Sequence, residues 1–179
     1  LMTIGSVNAP QARGNLYFHT ERRGHENQRV LYVREGAQGV DRVLLDPNTL
    51  DERGLYALDW FDPSPDGALV AFGLSYAGNE MTVLHLLETA TGSWLADEIR
   101  GKIGFGGWAP DGRSFLYGKL EDPDDAYSRS YRWHVVGRHH RADPLLIMQK
   151  APSRIPGASL STDGRWIIEQ TFEGWSKQD

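Results

Sequence analysis

The chain has 179 residues, no cysteine and a net charge of −5. That length can bury one substantial core, while the absence of cysteine excludes disulfides, thiolate metal sites and a cysteine nucleophile. The acidic balance removes a bulk electrostatic case for nucleic acid, and no apolar run is long enough to cross a membrane as a helix.

Residues Leu1 to Pro10 lack a basic region followed by an apolar stretch, so they carry no signal-peptide pattern. With zero cysteine this gives an expectation of a cytoplasmic setting, the periplasm being the alternative. Residues 1–13 read as a lead-in. Strand-like runs then begin at Leu16-Tyr17-Phe18, Arg29 to Arg34 and Arg42 to Leu45. Ala57 to Phe61 leads into Ser64-Pro65-Asp66-Gly67, which has the composition of a type I turn. Pro65 presets φ, Asp66 can bond its local backbone and Gly67 tolerates a positive φ. Ala68 to Phe72, Thr82 to Leu87 and Ser93 to Ala96 follow as three further strands.

The same order then returns. Ile103 to Trp108 enters Ala109-Pro110-Asp111-Gly112, and Ser114 to Tyr117, Tyr131 to Val136 and Leu145 to Met148 follow. Pro156 to Leu160 enters Ser161-Thr162-Asp163-Gly164, and Arg165 to Ile168 follows. Asp66, Asp111 and Asp163 are separated by 45 and then 52 residues, the period of a four-stranded propeller blade. No segment carries a long amphipathic helical period. The fold class is therefore all-β: a partial β-propeller of about three four-stranded blades plus the start of a fourth. The blades fall at 14–54, 55–99, 100–150 and 151–179, the last incomplete. Closed propellers typically hold about 4–8 blades, so the chain is expected to be a piece of a larger ring. Its open blade edges would then favour self-association.

Longer strings resemble a known family. Asn27 to Arg34, Val43-Leu44-Leu45-Asp46-Pro47-Asn48, Ala57-Leu58-Asp59-Trp60, Pro63 to Gly67, Val70 to Ser75 and Gly174-Trp175-Ser176-Lys177 run in the order seen in prolyl oligopeptidases. The resemblance covers the chain from about Gly14 onward and places it in the N-terminal half of that family's propeller. It implies a parent in which a seven-bladed propeller joins an α/β-hydrolase domain with a Ser-Asp-His triad. Such a parent cleaves short peptides after proline, and the propeller screens its active site. It needs no cofactor. The triad would lie outside this chain, which alone would be inactive. The resemblance also marks the strand from Lys102 to Trp108 as bordering the central cavity. Ile103 falls where the family commonly places an aromatic residue, and Phe105 shares its face; these two are the substrate-gate candidates. A non-catalytic, protein-binding propeller of the periplasmic Pro-Asp-Gly repeat type is the alternative.

Other chemistry is weakly supported by the residues. Gly73 to Gly78 only approximates the Gly-x-Ser-x-Gly elbow, with one residue too many after Ser75. His139 and His140 would point to opposite faces of a strand and could not easily share a metal. His85 and His134 occupy matching third-strand positions, which suggests packing. Glu121-Asp122 and Asp124-Asp125 lack the spacing and central glycine of a calcium loop. Asp59 and Asp62 alone approach paired carboxylates on an inner strand. Arg22-Arg23 and Arg138-His139-His140-Arg141 read as solvated loops. No metal site emerges.

Overall fold

The computed structural model describes residues 4–125, 127–148 and 154–173. These residues form four antiparallel sheets. The first contains β1 (Ser6–Val7), β2 (Gln11–Arg13), β3 (Leu16–Arg22), β4 (Val30–Glu35) and β5 (Arg42–Leu45). The second contains β6 (Tyr56–Pro63), β7 (Leu69–Tyr76), β8 (Val83–Glu88) and β9 (Trp94–Ile99). The third contains β10 (Gly104–Trp108), β11 (Ser114–Leu120), β12 (Arg129–Val135) and β13 (Leu145–Met148). The fourth is the hairpin of β14 (Arg154–Leu160) and β15 (Ile167–Glu173). In the second and third sheets the strands lie side by side in chain order, as in a propeller blade.

The first blade begins earlier than Gly14. β1 and β2 both pair with β3, at Ser6↔Arg22 and Gln11↔Phe18. Together they form an interrupted inner strand, so residues 1–13 are not wholly a lead-in. This strand is mostly exposed. Backbone pairing rather than an apolar run holds it, which is why its sequence carries no strand pattern.

Central strands explain the packing. β7 is buried from Leu69 to Ser75, as a strand covered on both faces must be. Its alternate residues face opposite neighbours. Val70, Phe72 and Leu74 join Phe18, Leu31, Val33, Leu44 and Leu45 of the first blade. Leu69 and Ala71, with Leu84, Leu86 and Ile99, join Ile103, Trp108, Phe115 and Tyr117 of the third. Two such seams bind three blades side by side. The fourth hairpin leaves Trp166, Ile167 and Ile168 exposed.

The three Asp-Gly turns have one design. The amides of Gly67, Gly112 and Gly164 donate to the carbonyls of Ser64, Ala109 and Ser161 at 2.8, 3.0 and 2.8 Å. Asp66, Asp111 and Asp163 each accept a backbone N–H two residues on, at 3.0, 2.8 and 3.1 Å. Ser64 and Ser161 also donate a hydroxyl to the turn aspartate at 2.6 Å. Where Ala109 cannot, Ser114 supplies the hydroxyl from the far side of the turn. Thr162, in place of proline, leaves this geometry intact. All three glycines have positive φ, between 62° and 71°.

The turns also touch one another. A Cβ on Gly164 would lie 2.1 Å from Pro110 Cδ, and one on Gly112 would lie 3.3 Å from Asp66 Oδ1. A Cβ on Gly67 would lie 3.0 Å from Leu16 Cδ1, beside the Gly14 turn of the first blade. The turns thus stack blade on blade along one face. Asp-Gly supplies both the turn and the bare surface that the next turn needs.

The turn aspartates also contribute to the acid sensitivity of the fold. The Ser64 hydroxyl bond holds Asp66 below the ordinary carboxylate range, and the Ser161 bond does the same for Asp163. Burial pushes Asp111 up, but bonds from the Arg113 amide and Ser114 outweigh it. Groups with lowered folded pKa values stabilise above their unfolded value of about 4 and lose that contribution as pH falls further. The triple variant D66N/D111N/D163N is therefore expected to unfold over a shallower pH range below about 4, read by tryptophan fluorescence. An unchanged acid transition would contradict this assignment.

Candidate functional site

The inner strands β6 and β10 form the candidate site. Trp60 Nε1 donates to the carbonyl of Ile103 at 3.3 Å, reaching from the second blade to the third. Trp108 Nε1 returns the contact, donating to the carbonyl of Asp62 at 3.0 Å. Two indoles therefore lock the strands in opposite directions. The Phe105 ring stacks on Trp60 at 5.5 Å and tilts against Trp108 and Phe115. β10 bulges between Phe105 and Gly107. Gly107 has φ +125°, and a Cβ there would come 3.2 Å from Leu160 Cβ on β14. Glycine lets adjacent inner strands approach this closely.

The two gate candidates have different surroundings. Ile103 is only 3% exposed and sits in the core between the second and third blades. Phe105 is half-buried against the same core. A shallow cavity of about 340 Å³ opens beside them, lined by Asp59, Ser75, Thr82, Lys102, Ile103 and Arg129 among others.

Polar groups on these strands are tied up in structure. Asp59 stands at a bulge in β6 and accepts hydroxyl bonds from Ser75 at 2.8 Å and Thr82 at 2.5 Å. Ser75 lies within β7, not on a strand-to-helix elbow, and its partner is a carboxylate. Asp62 instead meets Arg13 at 3.4 Å. Burial pushes its carboxyl up, against the opposing charge of Arg13. Asp59 and Asp62 thus serve different partners rather than one substrate.

The histidines divide sharply. His85 pairs across the sheet with Phe72, and His134 with Phe115. His85 stacks on Phe72 and tilts against Trp94, and burial pulls its pKa down. His134 is fully buried, with Nδ1 2.9 Å from Asp143 Oδ2 and Nε2 2.9 Å from Asp97 Oδ1. Asp97 also accepts the Gly137 amide at 2.7 Å, and Asp143 accepts the Tyr117 hydroxyl at 3.0 Å. Packing describes His85; His134 sits in a charged cluster that sequence position does not reveal. His139 and His140 are not in a strand. His139 caps a short 3-10 turn at His140–Ala142, and the two rings stack at 4.8 Å. Glu121 accepts bonds from Ser130 and Arg132, while Asp122 and Asp125 close local turns. Among the described residues no group of three or more histidine or acidic side chains is arranged to hold a metal ion.

Residues 2–179 match the family described as prolyl oligopeptidase, N-terminal beta-propeller domain. The chain belongs to this family. A prolyl endopeptidase of Elizabethkingia meningoseptica is 29% identical over 172 residues, covering 90% of this chain and 24% of the relative. The dual function macrocyclase-peptidase of Galerina marginata is 26% identical over 185 residues, covering 88% of this chain and 25% of that protein. A solved prolyl endopeptidase superposes with a TM-score of 0.90 at 29% identity, covering 97% of this chain and 27% of the other. The chain thus spans about a quarter of the length of these relatives and forms the N-terminal part of a prolyl oligopeptidase propeller. The string Gly174-Trp175-Ser176-Lys177 lies outside the described residues.

Proposed function

We propose that this propeller segment screens substrates for a serine peptidase that cleaves short peptides after proline. The observation that carries the reading is the match of nearly the whole chain to the N-terminal propeller of prolyl oligopeptidases. In this reading the α/β-hydrolase domain supplies nucleophile, base and oxyanion site. The blades exclude folded proteins and limit water at the site of acyl transfer.

The geometry supports a division of labour at the start of β10. Ile103, enclosed in the seam, keeps the inner strands in register. Phe105 presents the only partly exposed edge of the two and would line the substrate side.

The protein encoded by the reading frame containing these 179 codons tests this. It should hydrolyse a short fluorogenic peptide after proline and ignore the matching alanine peptide, while the 179-residue chain alone should cleave neither. Equal cleavage of both peptides would overturn the reading. Phe105→Ala should raise KM for the proline peptide and also lower the melting temperature, because its ring packs on Trp60, Trp108 and Phe115. Phe105→Leu, which keeps most of that apolar surface, should raise KM with a smaller thermal loss. Ile103→Ala should cost about 2–5 kcal/mol of stability, and an unchanged KM for Phe105→Ala would remove that residue from the substrate wall.

A further inference from the structure

Asp97 stands on β9, the outer strand of the second blade, while His134 and Tyr117 stand on β12 and β11 of the third. Asp143 lies in the loop before β13. The His134 ring therefore spans the seam between two blades. It is 0% exposed, and each carboxylate is only 7% exposed.

With both carboxylates ionised, the hydrogen-bond inventory calls for a charged ring. Both imidazole nitrogens face carboxylate oxygens, at 2.9 Å on each side. An ionised carboxylate only accepts, and a neutral imidazole has a single N–H. A neutral His134 would aim a lone pair at one buried carboxylate. Only the imidazolium donates to both. Deprotonation therefore breaks a bond and leaves a buried charge uncompensated, which is costly.

We propose that His134, Asp97 and Asp143 form a proton-operated latch that closes the seam between the second and third blades and loosens it when the proton leaves. Solvent reaches the edge of the latch at Asp97, which is 7% exposed beside a cavity of about 350 Å³ lined also by His134, Glu98, Arg138, His139 and His140. Other charged groups lie on both sides. Glu98 pairs with Arg100 on the second blade, and Arg132 pairs with Glu121 on the third. Burial pushes Tyr117 well above its ordinary value, and the Asp143 charge adds to this, so its hydroxyl stays a donor throughout. For His134 burial acts downward, but the bonds and charges of Asp143 and Asp97 outweigh it and leave the ring raised.

The sign follows from that direction. A histidine raised in the closed seam stabilises it fully below the free value of about 6.5. The contribution is lost as pH rises from there to the raised value, and is constant beyond it. One linked proton makes the closing equilibrium fall by up to tenfold per pH unit within that window.

Asp143→Asn is the decisive variant. Its amide oxygen can take the Tyr117 hydroxyl bond now held by Oδ2. Its NH2 can then occupy the Oδ1 position, 3.0 Å from Nδ1, and donate to a neutral ring. His134 would then give its single N–H to Asp97, so the closed seam would no longer need the proton.

Hydrogen exchange on the full chain, followed from pH 6 to 10, reads this out at the amides of β9 and Gly137. In the unaltered chain, protection factors should fall by up to about tenfold per pH unit above 6.5 and then level off. In Asp143→Asn they should stay flat. Nitrogen-15 NMR of the ring should show two protonated nitrogens at pH 6 in the unaltered chain and one in the variant. Protection independent of pH in the unaltered chain, a single ring N–H at pH 6, or an equal loss in both proteins would each overturn the latch.

Discussion

His134→Ala is expected to lower the stability of the chain by about 3–5 kcal/mol, the range found when one partner of a buried ion pair is removed. The cause is not chiefly the lost ring volume. Asp97 and Asp143 would remain at the seam without a cation between them, and Tyr117 and the Gly137 amide could satisfy them only in part. Urea unfolding at pH 6 measures the cost. The same variant should cost less at pH 9, because deprotonation already removes part of the stabilisation. Adding D97N and D143N to the alanine variant should recover part of the loss, since no buried carboxylate then remains. A loss that the two added substitutions do not reduce would assign the effect to packing instead.

Phe115→Ala is expected to cost about 3–5 kcal/mol for a different reason. The ring is completely buried at the centre of the seam between the second and third blades. It meets Trp108 edge-on at 5.1 Å, Phe105 at 5.4 Å and His134 at 5.0 Å. Trp108 and His134 are each held by hydrogen bonds, so neither moves freely into that space. The loss should be nearly independent of pH between 6 and 9, in contrast to His134→Ala. Phe115→Leu should retain much of the stability, because it conserves most of the buried apolar surface. A cost below 1 kcal/mol for the alanine variant would show that the seam is not the continuous core described above.

Much of the fold was written in local chemistry. Asp66-Gly67, Asp111-Gly112 and Asp163-Gly164 each need only their own neighbours to form a turn, so spacing alone located the blades. Ser114 shows how far that reaches: it replaces a hydroxyl missing at Ala109, a substitution visible only once the turn is built. The first inner strand escaped detection because Gln11–Arg13 is polar and its turn at Gly14 lacks the aspartate. The candidate site was less legible. Trp60 and Trp108 read as strand residues, but nothing local says that each donates across a blade boundary. His85 and His134 hold matching positions beside Phe72 and Phe115, yet one packs among aromatic rings and the other bridges two carboxylates. The difference rests on Asp97 and Asp143, which belong to other segments and meet His134 only when two blades close. His139 and His140 carry a comparable lesson, since a short 3-10 turn rather than a strand decides where their rings point.

The stacked turns and locked inner strands describe a rigid wall, and the proposed role of that wall is to select substrates by size. The direct measurement compares one proline-containing octapeptide free in solution with the same sequence placed in a surface loop of a folded carrier protein. Both are offered to the protein encoded by the reading frame that contains this chain. Rapid cleavage of the free peptide with an intact carrier is the result expected of a propeller that screens a prolyl peptidase. Cleavage of the carrier at a comparable rate, or no cleavage after proline in either, would contradict it.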